Sequence, residues 1–431
     1  MSARRPLGLV SATALVVATM IGTGVFTTSG FLLADLKSPR AVLAAWLVGG
    51  IIAALGALSY GALTRRFPES GGEYLFLSRT VHPAAGYVAG WVSLVVGFSA
   101  PTAASAFAFG KYVNAWLPEC PPALIGSLLV VVFSAMHAAH VRGGAWVQNV
   151  GVASNLTLIL GFIALALPRL NLAESPWVPA PPATDSVTAF AVSLILVSYS
   201  YSGWNAAAYI GGEIGNPERN LPRSLLLGTL LVTGLYFVLN TVFVFSGPTM
   251  ELAGKVQVGR LAAENLGGES WGNAVTVLIA LVLMTSVSSL VMAGPRICAR
   301  MATDGYLPHW LAPQDSPPRH AILAQGVISL LLLATTTFEG LLTYVGLTLS
   351  LVTAATVAGL IVLRRREGEQ FTVFGWPWVP WLFLLTVLWS CGVTLVQRPA
   401  VACASLGTLG LGLLAWRLRR DGTRKTVPEV D

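Results

Sequence analysis

The sequence predicts an all-α polytopic membrane protein of twelve transmembrane helices, the first and sixth of them discontinuous. Of its 431 residues 55% are hydrophobic and only 10% charged, where a soluble globular chain carries roughly 25% charged residues. Apolar runs of about 20 residues recur along almost the whole chain, each long enough to cross a hydrocarbon core of roughly 30 Å. Two of these runs hold glycines and hydroxyls at mid-depth, where a continuous lipid-facing helix disfavours them.

Length alone would suggest two or three soluble domains, but the apolar runs leave no soluble stretch of that size, so residues 1–431 read as one transmembrane domain. Runs bounded by proline, glycine or charge place the spans at roughly 8 to 34, 41 to 64, 84 to 114, 122 to 141, 146 to 168 and 188 to 213. The second six lie at roughly 222 to 247, 271 to 301, 320 to 337, 340 to 363, 376 to 396 and 400 to 417. The first run continues past Val25 without a small-residue cleavage site, so it is expected to be a retained helix and not a signal peptide.

An even number of spans puts both termini on one side. With the N-terminus inside, 19 of the 26 arginines and lysines fall on that side, as the disfavoured translocation of short basic loops requires. Both termini are therefore expected in the cytoplasm, at the inner membrane of a cell. The connection from Pro168 to Ser186 holds five prolines and is expected to lie over the outer face, between two five-helix halves. Those halves run about 8–168 and 188–363, followed by two further helices at about 376–417. A short polar tail closes the chain at 418–431, with Asp421 to Asp431 expected to be disordered.

Several functions are disfavoured by what the chain lacks. The net charge of +7 sits at the ends of apolar runs, where it orients the chain and is no footprint for nucleic acid. Arg364-Arg365-Arg366 and the basic stretch from Arg417 to Lys425 serve as topology anchors against the lipid bilayer. Cys120, Cys298, Cys391 and Cys403 have no CxxC spacing and are expected to be free thiols, mostly buried. His137 and His140 stand at i, i+3, and without an acid or cysteine beside them they read as structural. No HExxH, no GxSxG and no cluster of intramembrane His, Asp or Glu offers acid, base or metal chemistry. Neither an enzyme nor a cofactor or metal site is expected.

Two motifs carry the functional signal. Met20-Ile21-Gly22-Thr23-Gly24-Val25-Phe26 lies mid-run in span one. A helix that opens there frees the amides of Thr23, Gly24 and Val25, whose half-helix dipole favours an anion such as a carboxylate. The carbonyls of Met20 and Ile21 then face a cation. The same two glycines also suit a close-packing face between helices, and the motif alone leaves both readings open.

Span six contains Tyr199-Ser200-Tyr201-Ser202-Gly203-Trp204-Asn205, an aromatic and polar stretch that is costly in lipid and so lines a cavity. It comes five spans after the first interruption. Paired interruptions in two halves point to an inverted-repeat transporter with its substrate near the midplane. Glu213 follows, then Pro217 and Pro222, with Pro222 suited to the first turn of span seven. Glu213 reads either as a gate or as a structural salt-bridge partner.

At these residues the chain resembles the amino acid, polyamine and organocation transporter superfamily, and most closely its L-type and related bacterial amino acid exchangers. Ser202-Gly203-Trp204-Asn205, Glu213 and Asn216 to Pro222 carry the resemblance, with Gly22-Thr23-Gly24-Val25-Phe26 and Pro68-Glu69-Ser70-Gly71-Gly72-Glu73-Tyr74 in support. It implies two inverted five-helix repeats plus two helices. It also implies that a substrate carboxylate meets the amides around Thr23 and Gly24, and that its amino group meets carbonyls near Met20, Ile21, Tyr199 and Ser202. By the same resemblance Tyr199 closes over the substrate from outside, and Tyr236 of span seven adds a hydroxyl. Tyr201 and Gly203 join the pocket, with Trp204 and Asn205 as accessory or gating residues.

Many sodium-independent relatives carry a lysine where the resemblance places Asn155. A neutral amide cannot act as a fixed or titrating cation, so exchange or facilitated diffusion is expected ahead of proton coupling through that position. The alternatives are a proton- or sodium-coupled amino acid symporter, or an amine or polyamine carrier of the same fold. The stretches expected to line the cavity, including Ser99 to Ser105, offer no acid or base, which favours a neutral amino acid. Cys120 lies in an outer loop where members paired with a glycoprotein carry a bridging cysteine. Position alone is weak evidence for a bridge, and an accessory glycoprotein subunit is not expected.

Overall fold

A computed structural model describes residues 7–139, 156–170, 183–303, 307–312 and 317–424. Among these residues every regular element is helical, and one isolated backbone bridge joins Leu7 to Ile214. Span one is α1 (Leu9–Met20) and α2 (Thr23–Leu36), meeting at a bend of 44°. α3 (Pro39–Arg66) is span two, and a short α4 (Glu73–Thr80) leads to span three. Span three runs from α5 (Pro83–Val92) through a wide π turn at Ser93–Ser99 into α6 (Ala100–Val113). Within the π turn Ser99 Oγ donates to the Leu94 carbonyl at 2.7 Å, and Pro101, just beyond it, has no N–H to give the preceding turn.

α7 (Pro122–Ala138) and α8 (Leu156–Arg169) follow, and span six is α9 (Ala183–Tyr201) with the four-residue α10 (Ala206–Tyr209). The rest of the chain is α11 (Pro217–Val244), the surface helices α12 (Thr249–Leu252) and α13 (Val258–Gly267), α14 (Glu269–Thr303), α15 (Arg319–Thr335), α16 (Phe338–Glu367), α17 (Trp378–Gln397) and α18 (Pro399–Arg424). Their ends are written in the sequence. Ser38 caps α3 by accepting from the Ala41 amide, Thr337 caps α16 by accepting from Gly340, and proline opens α3, α5, α7 and α11. Arg65 and Arg66 close α3, and Arg364, Arg365 and Arg366 close α16, where positive charge suits the carbonyl end of a helix.

Six of these helices and the continuous α5–α6 run are long and apolar enough to cross a membrane, and the bent α1–α2 pair makes an eighth candidate span. Four shorter apolar helices, Pro122–Ala138, Leu156–Arg169, Ser186–Tyr201 and Arg319–Thr335, coincide with the remaining predicted runs. Large apolar side chains such as Leu124, Leu128, Leu231, Leu385 and Leu411 face outward, which a hydrocarbon surrounding accepts and water does not.

Two expectations change, and one loop gains structure. Span seven begins at Pro217, so Pro222 lies inside α11 and not in its first turn; Asn216 turns the chain with a φ of 47° immediately before. The last helix continues to Arg424, which replaces the expected disorder over 421–424 and shortens the tail. The loop between spans seven and eight folds into α12 and α13 and lies against α2, where the Gly254 amide donates to the Gly30 carbonyl at 2.7 Å. Asn155 and His140, and residues 171–182 of the proline-rich connection, lie outside the described residues. Cys298 and Cys391 are buried, Cys120 is half-buried and Cys403 is exposed; all four are free.

Candidate functional site

The break in span one is two residues long. Ile21 leaves the helix at ψ 101°, and Gly22 is extended at φ −151° and ψ −152°. No side chain caps α2, so the amides of its first turn have no side-chain acceptor. The other side of the break is more fully occupied. Tyr236, buried on α11, donates its hydroxyl to the Met20 carbonyl. Thr19 Oγ1 donates to the Gly203 carbonyl at 3.2 Å, tying α1 to span six.

Gly22 and Gly24 do different work. A Cβ on Gly22 meets only Ser286 Oγ at 3.3 Å, across the break from α14. One on Gly24 lands 2.6 Å from the Ser200 Cα. Gly24 is therefore where α2 presses against α9, a contact that Thr28 and Ser200 reinforce through a 2.9 Å hydrogen bond between their hydroxyls. The helix opens at Gly22, and the close-packing contact falls on Gly24.

Span six opens over Ser202 to Asn205. Its turns are closed locally: the Ser202 amide donates to the Tyr199 carbonyl at 3.0 Å and the Ala206 amide to the Gly203 carbonyl at 3.0 Å. Gly203 sits at φ 102°, and a Cβ there meets the Thr19 carbonyl oxygen at 2.8 Å. Only glycine fits on both counts. Tyr199 lies beside Thr23, whose hydroxyl pairs with Ser105. Tyr201 turns away from the break, donates to the Trp46 carbonyl at 3.0 Å and packs with the rings of Trp46 and Tyr236.

The two breaks share one cavity of about 440 Å³, within the range of small-ligand sites at roughly 300 to 1,000 Å³. Met20, Ile21, Thr23, Gly24, Tyr199, Tyr201, Ser202, Gly203, Trp204 and Asn205 line it, whereas Val25, Tyr236 and Glu213 do not. α2 contributes nothing beyond Gly24, and α9 nothing before Ser198, while α1 lines it from Leu15 and α10 to Ile210. The cavity therefore runs from the breaks toward the face that carries α1 and α10.

Glu73 is the feature that sequence reasoning missed. It stands at the first position of α4, is 3% exposed, and is the one Asp, Glu, Lys, Arg or His among the cavity-lining residues. Its carboxyl group accepts from Tyr60 at 3.0 Å and from Asn205 and Tyr209. The mid-span stretches themselves bring no acid to the lining; Glu73 enters its wall from the start of α4, between spans two and three. Glu213, singled out in its place, is exposed in a 3₁₀ turn, where its carbonyl accepts from the Leu7 amide at 3.3 Å. The signal for Glu73 was present: two glycines before it and a helix start at it, within a quoted motif.

A family model described as Amino acid permease matches residues 7–403. The chain belongs to the amino acid permease family. It is a transporter of the amino acid, polyamine and organocation superfamily and not an enzyme. Similar proteins include the large neutral amino acids transporter small subunit 2 of Mus musculus, 29% identical over 381 residues, 85% of this chain and 71% of the relative. The b(0,+)-type amino acid transporter 1 of Mus musculus is 26% identical over 93% of this chain and 84% of its own. The Asc-type amino acid transporter 1 of the same organism is 27% identical over 84% and 71%.

The first of these relatives is named a small subunit, so the expectation that this permease works without an accessory subunit has no support from them. Around α2 aromatic rings cluster: Phe107 stacks on Phe338 at 5.3 Å, Phe31 packs against Phe338 at 6.0 Å, and Tyr112 donates to the Phe26 carbonyl at 3.0 Å. Near the C-terminal end of α2, Arg398 pairs with Glu339 at 2.9 Å and reaches Asp35 at 3.9 Å. His137 contacts Ser288 at 3.0 Å, and no group of His, Cys, Asp and Glu able to hold a metal occurs among the described residues.

Proposed function

We propose that this permease is a sodium-independent exchanger or uniporter of neutral amino acids that works by alternating access. The observation that carries this reading is the uncapped first turn of α2, which opens into a cavity holding no lysine, arginine or histidine among its lining residues. A carboxylate is then gripped by peptide amides and the dipole behind them. The amino group goes to backbone carbonyls at the facing break in span six. Tyr236 occupies one lone pair of the Met20 carbonyl and leaves the second for a ligand.

The fold proposed with this function is twelve crossings, arranged as two inverted five-helix repeats and two further helices, with the substrate near mid-membrane. The bundle of spans one, two, six and seven moves against the rest, and both termini face the cytoplasm. Asn155 takes no part as a cation. An acidic side chain is excluded, because the lining has one carboxyl group and no base to meet another. Glu73 is the single observation that favours a second reading, a proton- or sodium-coupled symporter.

The test is uptake into proteoliposomes. Radiolabelled neutral amino acids should enter saturably and faster when the lumen holds unlabelled amino acid, with no dependence on a sodium or proton gradient. Uptake driven by either gradient would select the symporter. The absence of uptake for every neutral amino acid would remove the proposal.

A further inference from the structure

α10 has four residues, far short of the length at which a helix stands alone. Its position is set by what it docks on. The segment just before α4 supplies that dock. The Gly212 amide donates to Ser70 Oγ at 3.1 Å, and Gly211 lies so close to the Glu69 carbonyl that a Cβ would stand 2.9 Å from it. Gly72, at φ 59°, leaves room for the Tyr209 ring, which a Cβ would approach to 2.8 Å.

Glu73 fastens this dock. Tyr60 reaches its carboxyl group from span two, and Asn205 and Tyr209 reach it from span six. Trp204 packs edge-on to the Tyr60 ring at 4.7 Å. α4 itself packs on α5 and α16, in spans three and ten. One buried carboxyl group thus joins two spans of the proposed moving bundle to the body against which they move. All its partners are neutral donors, so what it supplies is placement and not ion pairing.

We infer that Glu73 is a positioning residue: it holds the second half of span six in the place seen here and so favours the conformation whose cavity reaches the α1 and α10 face. A bond made in one conformation and not in the other biases their populations by its own free energy. The inference rests on the alternating-access reading above for its effect on transport. Its effect on cavity access stands apart from that reading.

Two readouts test it. In proteoliposomes Glu73→Gln and Tyr209→Phe should each slow exchange about tenfold, the size of one or two net hydrogen bonds. The double variant should be no slower than the worse single one, as partners in one interaction behave. Amino acid affinity of the purified protein, read by thermal shift, should stay within about threefold, since the amides of α2 are untouched. Losses that multiply in the double variant mean two separate structural defects and overturn the inference, as does exchange within about twofold of the native rate.

The second readout needs no transport. A cavity cysteine, Ala293→Cys in a Cys120→Ala, Cys403→Ala background, should react with a maleimide about fivefold more slowly once Glu73→Gln is added, because the open conformation loses population. An unchanged labelling rate overturns the inference whatever the protein transports. Should Glu73→Gln fail to fold, Tyr209→Phe alone decides on the same criteria. If the native protein takes up no amino acid while labelling slows as expected, the function proposed above falls and this inference stands.

Discussion

The breaks in spans one and six look alike in sequence, each a glycine beside hydroxyl residues in an apolar run, yet they are held open by different means. In span one two residues suffice, Ile21 and Gly22, and the opened α2 end keeps its amides uncapped. In span six the chain turns through Ser202 to Asn205 with its turns hydrogen-bonded locally, and the short α10 beyond is clamped from outside by Glu73. A break meant to bind must leave backbone groups unsatisfied; a break meant to move needs a fastening that can be undone. On the function proposed above, the difference places recognition chiefly at span one and mechanics chiefly at span six.

The largest effect is expected where both steric limits coincide. Gly203→Ala forces a side chain onto φ 102° and onto the Thr19 carbonyl, at a cost of about 3 kcal/mol. Thermal unfolding of the purified protein should show it, with transport lost as well. A variant that unfolds at the native temperature would mean that span six can rearrange freely at its break.

Gly24→Ala comes next, since its Cβ meets the Ser200 backbone, and roughly 2 kcal/mol of stability should be lost as α2 and α9 are pushed apart. Bulk at Gly24 therefore damages the fold itself. Tyr236→Phe removes the donor to the Met20 carbonyl and should lower stability by about 1 kcal/mol. A larger drop would show that this hydroxyl holds the whole α1 end.

Gly22→Ala sharpens the contrast most, although its effect on stability is the smallest. Its φ of −151° suits any residue, and the nearest atom to the new Cβ is Ser286 Oγ at 3.3 Å. Unfolding should shift by less than about 0.5 kcal/mol, as for a tolerated substitution. Amino acid affinity should nevertheless weaken about tenfold, because the methyl group stands at the mouth of the amide cradle. Full affinity in Gly22→Ala would move the carboxylate site away from this break.

Much of the architecture was legible along the chain. Apolar runs, proline starts and arginine ends marked the helices, because a membrane demands that each crossing be long, apolar and closed in its own hydrogen bonds. Both interruptions were legible for the same reason: glycine and hydroxyl residues at mid-depth violate that demand. The short helices α12 and α13 were not legible, since their placement depends on neighbours and not on local composition.

The site divided in the same way. Residue types alone determined that peptide groups would be exposed near Gly22 and Gly203, because the penalty for opening a helix is local. That Gly24 rather than Gly22 would press on Ser200, and that Tyr236 would take the Met20 carbonyl 216 residues away, only the packing of α2, α9 and α11 decided. Glu73 shows the limit most plainly. The two glycines and the helix start at Glu73 mark a turn but not a burial, and its partners at Asn205 and Tyr209 lie 132 and 136 residues further along the chain, so only the tertiary structure could bring them to it.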